Sequence, residues 1–118
     1  MLWWVGKHPR LPKTLRELAD AAETVYFSRA SMWEIAIKVS MGRLRLDVRQ
    51  FSGSIERQGF EWLEIKDAHL CAVAALPFIG DYRDPFDRLL VAQSMTEPLL
   101  LLTSDAILTR YGTTVRLV

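Results

Sequence analysis

The sequence predicts an α/β domain built on a parallel sheet with helices over both faces. Segments of strand length alternate with segments of helical periodicity along the chain. Two strand candidates, 24–28 and 99–103, lack polar alternation, as strands buried on both faces do. The 118 residues are 50% apolar, enough for one core without staples and too few for two ordinary domains. Residues 1–118 are therefore read as a single domain.

Pro12 opens a helix with Leu15, Leu18, Ala19 and Ala22 at helical spacing and Lys13, Arg16, Glu17 and Asp20 on the other side. Residues 24–28 follow as a short strand. Ser31 and Glu34 match a capping box for a helix to about Met41, where Gly42 stops it. That helix is apolar nearly all round (Trp33, Ile35, Ile37, Val39), so most of it should be buried. A helix over 47–58 turns Phe51 and Ile55 inward and ends at Gly59. Residues 60–65 read as a strand, and 67–76 as a helix closed by Pro77. Asp84 is a good N-cap, Pro85 suits the first helical position, and Asp87 falls in the first turn. Pro98 ends that helix, 99–103 form a strand, Ser104 and Asp105 cap a short helix, and 115–118 supply the last strand. No repeat, low-complexity tract or linker interrupts the pattern.

Fifteen Lys and Arg against 14 Asp and Glu leave a formal net charge of +1, which excludes a strongly basic coat for nucleic acid but not a local patch. The single cysteine, Cys71, excludes an internal disulfide and is read as a core residue of its helix. No apolar run is long enough to span a bilayer, and residues 1–5 are too brief for a signal peptide, so the expectation is a cytoplasmic protein without membrane contact. No Ser-His-Asp or Cys-His pattern and no glycine-rich phosphate loop is present. His8 and His69 are poor catalytic candidates, and Trp33, Phe51, Phe60 and Trp62 are read as core.

In parallel sheets the working groups gather beyond the C-terminal strand ends. Three acids fall there: Glu34 after the 24–28 strand, Asp105 after the 99–103 strand, and Asp87 at the start of the helix leading into the latter. Each could merely serve a helix N-terminus. Glu34 fits that explanation least, as the one acid in an apolar helix. Carboxylates gathered at one edge suit Mg²⁺ or Mn²⁺, hard ions that take oxygen ligands.

Three stretches resemble motifs of PIN-domain proteins of the VapC toxin type. Residues 28–38 (Ser28-Arg29-Ala30-Ser31-Met32-Trp33-Glu34 and onward) resemble the second motif, and Arg83-Asp84-Pro85-Phe86-Asp87-Arg88 the third. Leu101-Leu102-Thr103-Ser104-Asp105 resembles the fourth. The resemblance implies an α/β/α sandwich and a Mg²⁺- or Mn²⁺-dependent endoribonuclease, the toxin of a type II toxin–antitoxin pair. It places Glu34, Asp87 and Asp105 in the metal site, with Asp84, Thr103 and Ser104 as accessory residues. It also implies a cognate antitoxin, an RNA substrate and a homodimer.

The match departs from the family at the start. Family members open with a strand ending in an aspartate, then a Thr-His pair and a helix, and residues 1–5 line up with that helix. The domain is thus expected to be N-terminally truncated relative to the family, lacking its first strand and first aspartate, with the neighbouring strands unpaired. No acid precedes Glu17. The alternative reading is an inactive PIN remnant that serves only as an antitoxin-binding or self-associating module through the 15–18 face. For RNA contact, Arg43, Arg45 and Arg88 are the candidates; a solvated turn explains Arg43 and Arg45 equally well, and Arg88 could pair with a carboxylate.

Overall fold

The computed structural model describes residues 2–4, 24–81, 83–97, 99–103 and 105–117. Five strands, β1 (Leu2–Trp4), β2 (Val25–Ser28), β3 (Glu61–Leu63), β4 (Leu100–Thr103) and β5 (Val115–Leu117), form one sheet in the order β3-β2-β1-β4-β5. Every pairing is parallel. Helices α1 (Arg29–Ser40), α2 (Val48–Arg57), α3 (Asp67–Ala75) and α4 (Pro85–Thr96), with a 3-10 helix over Ala106–Tyr111, complete the described elements. This is the PIN-like α/β arrangement expected from the alternating pattern.

The middle of the sheet differs from expectation. Residues 2–4, aligned above with a helix, are a strand. Leu2 pairs with Val25 on one side and Leu100 on the other, and Trp4 pairs with Leu102. The position expected to lack a strand is filled, and β2 and β4 are not left with open edges there. The helix expectation comes from lining these residues up with the family's first helix; a short apolar, aromatic-rich run suits a central parallel strand as well as a helix, so the run itself does not correct that alignment. The helix read from Pro12, the Leu15 and Leu18 face, His8 and Ser104 lie outside the described residues.

Side chains alternate across the sheet and build two cores. Leu101, fully buried, joins Leu89, Leu90, Val91 and Val115 under α4, while its neighbour Leu102 points to the opposite side with Phe27, Ile35, Phe51 and Ile55. Phe27 meets Phe51, Phe60 and Trp62 edge-on at centroid distances of 5.8, 6.4 and 5.8 Å. Burying one such ring contributes roughly 1.5–3 kcal/mol before packing terms. Both faces are therefore covered, as the unbroken apolar strands required.

Local chemistry sets the helix ends. Asp47 caps α2 by accepting from Gln50 N at 3.0 Å, and Phe51 and Ile55 are its buried pair. Gly59 follows α2 with φ 91°, a conformation in which a side chain is strained. Helix α1 starts earlier than the Ser31 capping box implied: Ser28 is the N-cap, its Oγ accepting from Ala30 N at 3.0 Å. Burial of α1 is also less than its composition suggested. Only Ala30, Ser31 and Ile35 are buried, while Trp33 and Met41 are each 57% exposed. Cys71, read as core, is exposed on α3.

Candidate active site

Parallel topology carries the acidic residues to one edge of the sheet. Helix α1 leaves the C-terminal end of β2, and Asp105 follows the C-terminal end of β4. Helix α4 ends beside the start of β4, where Leu99 N donates to Ser94 O at 3.0 Å, so its N-terminus lies back at the strands' C-terminal edge. The Trp33 ring packs against Phe86, with centroids 5.0 Å apart and planes at 75°. That contact joins the neighbour of Glu34 to the neighbour of Asp87. Strands β2 and β4, which feed these groups, both flank β1.

Each acid has a definite local setting. Glu34 sits in the second turn of α1, not the first, because Ser28 is the cap. Its side chain is only 16% exposed, and its carboxylate lies 3.4 Å from Lys38 Nζ, one turn along the same helix. Asp84 caps α4: one oxygen accepts from Phe86 N at 2.9 Å and from Asp87 N at 3.1 Å. Asp87, in the first turn of α4, is buried. Asp105 caps the 3-10 helix by accepting from Ile107 N at 3.3 Å, and its own N–H donates to Thr103 Oγ1 at 3.1 Å. Thr103, buried at the end of β4, thus fixes the backbone that presents Asp105. Ser104 is outside the described residues.

The arginines separate into two kinds. Arg43 and Arg45 are exposed in the segment after α1. Arg88 is 5% exposed and donates to Leu76 O, Pro77 O and the Tyr111 hydroxyl at 3.0, 2.9 and 3.0 Å, with its guanidinium 4.1 Å over the Phe78 ring. These bonds anchor the 76–78 segment and the 3-10 helix to α4. These partners are thus two carbonyls and a phenol inside the protein, where the sequence suggested RNA contact or a carboxylate.

A buried polar chain behind the edge was not foreseen. Ser28 Oγ donates to Gln93 Oε1 at 2.6 Å while it caps α1. Gln93 Nε2 lies 3.3 Å from both Glu64 O and His69 Nδ1. His69, fully buried, accepts at Nδ1 from Lys66 N at 3.0 Å, so its Nε2 carries the hydrogen that faces Glu97 at 3.3 Å. Burial alone would raise the Glu97 carboxyl. The hydrogen bonds from His69 and Lys66 and the Lys66 charge outweigh it and hold the carboxyl below its usual value. The one hint in the sequence is Gln93, an amide in the middle of an apolar helix.

Carboxylates and hydroxyls are the donor types that a hard divalent cation prefers. Among the described residues no three His, Cys, Asp or Glu side chains lie together closely enough to hold a metal ion. Glu34 is turned to Lys38, and Asp84 and Asp105 are each engaged as caps. Ser31 Oγ is the one buried side-chain polar atom without a hydrogen-bond partner among the described residues.

Among the described residues no helix is long and apolar enough to cross a membrane. The family model for the PIN domain matches residues 1–113. No curated protein matches the chain.

Proposed function

Because the chain belongs to the PIN domain family, whose members are usually nucleases, we propose that it is an RNA-cleaving enzyme of the VapC toxin type. The observation that supports this most is the Trp33–Phe86 contact, which brings the second and third motif regions together at the sheet edge where Asp105 also lies. In this reading Glu34, Asp87 and Asp105 are the acids of the phosphodiesterase site. Asp84 and Thr103 keep Asp87 and Asp105 in place through the cap bonds described above. Arg43 and Arg45 meet the substrate's phosphates. Divalent ions are typical of the family, and Mg²⁺ or Mn²⁺ is the proposed requirement. The partners of this reading are a cognate antitoxin and a second copy of the chain.

The test is cleavage of a structured RNA by the 118-residue chain with Mg²⁺ or Mn²⁺, with chelator, and with Glu34→Gln. Cleavage that disappears on chelation and falls sharply in the variant supports the proposal. Equal cleavage by both proteins removes Glu34 from the site.

A second reading, a non-catalytic module that binds an antitoxin or its own kind, is favoured by two observations. The described acids do not group as metal ligands, and Glu34 has a lysine partner of its own. Absence of any ion-dependent cleavage by the folded chain would favour it.

A further inference from the structure

Trp33 is the feature of this edge that neither the fold nor the acids explain. It is 57% exposed, although its helix has an inward stripe (Met32, Ile35, Val39) that could have taken an aromatic ring. The exposed ring is nevertheless braced by Phe86. It lines an open groove of about 650 Å³ between α1 and α2, with Met32, Ala36 and Val48 as further apolar lining and Arg29 and Arg49 as cations. Arg29 is held in position, its Nε 3.0 Å from Glu64 and its guanidinium 3.8 Å above the Trp62 ring.

We propose that Trp33 is a stacking platform for a base of single-stranded RNA, with Arg49 and Arg29 meeting the adjoining phosphates. A fixed aromatic face beside cations is what sequence-tolerant binding of single strands uses, because every base offers a π-face and every linkage a negative charge. Placement decides for RNA over a protein helix. Two cations, Arg29 and Arg49, flank the groove that the ring lines. The ring's brace, Phe86, lies in the first turn of α4, the turn that also carries Asp87, so the groove adjoins the edge where the acid-bearing helices start. The inference rests on the nuclease reading and assigns it a substrate-binding residue.

The test is the anisotropy of a fluorescein-labelled single-stranded oligoribonucleotide, titrated in chelator so that cleavage is silent. Trp33→Phe should bind within about twofold of the wild-type chain, whereas Trp33→Leu, which keeps the groove apolar but removes the ring, should weaken binding by about fivefold or more. Arg49→Ala, at an exposed position, should weaken binding and reduce its salt dependence. Unchanged affinity in a folded Trp33→Leu protein overturns the proposal; should that variant not fold, unchanged affinity and salt dependence in Arg49→Ala overturn it. A wild-type chain that binds no RNA and instead pairs with a second copy in sedimentation also overturns it. Binding through Trp33 without cleavage leaves this inference standing and contradicts the nuclease reading; cleavage with an indifferent Trp33 does the reverse.

Discussion

Helices α1 and α4 each have twelve residues and start at the same edge of the sheet, yet they are buried very differently. From Asp87 to Ser94, α4 is buried at every position, Arg88 and Gln93 included. In α1 three residues are buried, and its largest side chain, Trp33, is mostly in water. By composition α1 is at least as apolar. What differs is the supply of partners. Arg88 finds two carbonyls and a phenol, Gln93 finds Ser28 and the Glu64 carbonyl, and Ser94 finds the Val91 carbonyl and Thr114. Polar groups can be interior when each hydrogen bond is answered, and apolar groups can be exterior where the surface has work to do.

The sharpest way to break this contrast is a pair of truncations. Leu90→Ala in α4 should cost about 3 kcal/mol in denaturant unfolding, and Ile37→Ala on the half-buried side of α1 less than half as much. Comparable costs would mean that the two helices carry the fold equally. Gln93→Ala should cost about 2 kcal/mol by the same measurement, because it leaves the Ser28 hydroxyl and the Glu64 carbonyl short of a partner inside the protein. Restoring stability with Gln93→Leu would show that the polar chain is dispensable.

A smaller effect is expected in acid. The folded-state pKa of Glu97 lies below its usual value of 4.5, so the stability it contributes is present above that value and is lost as pH falls through the lowered one. Glu97→Gln should therefore flatten the acid limb of the stability curve. At neutral pH it should cost under about 1 kcal/mol, since the group is partly open to solvent screening. An unchanged acid limb would contradict the role given to the His69 and Lys66 bonds. Smallest of all, Trp33→Phe should alter stability by less than about 0.5 kcal/mol, as surface substitutions do. A larger loss would mean that Trp33 is a packing residue and return α1 to the class of α4.

Much of the fold was legible because it is local. Asp84 as a cap, Gly42 and Gly59 as stops, and the Phe51–Ile55 pair follow from short-range rules and stand where the sequence placed them. The start of α1 was misplaced because Ser28 and Ser31 both suit an N-cap, and the choice is made by Gln93, 65 residues away, accepting from Ser28. The identity of β1 depends on β2 and β4 being there to pair with it, which nothing in residues 2–4 announces. Of the site, the order of Glu34, Asp87 and Asp105 along the chain predicted a common sheet edge through topology alone. The directions of the Glu34 and Asp105 carboxylates were not legible, since Lys38 on α1 and the cap bond to Ile107 N decide them.

The central claim is that acids from separate motifs act together on one phosphodiester. A double-mutant cycle on RNA cleavage measures this directly, comparing kcat/KM for Glu34→Gln, Asp87→Asn and the double variant with the wild-type chain. Shared work predicts a double variant no slower than the slower single one. Losses that multiply, or single variants that cut RNA as fast as the wild-type chain, would contradict it.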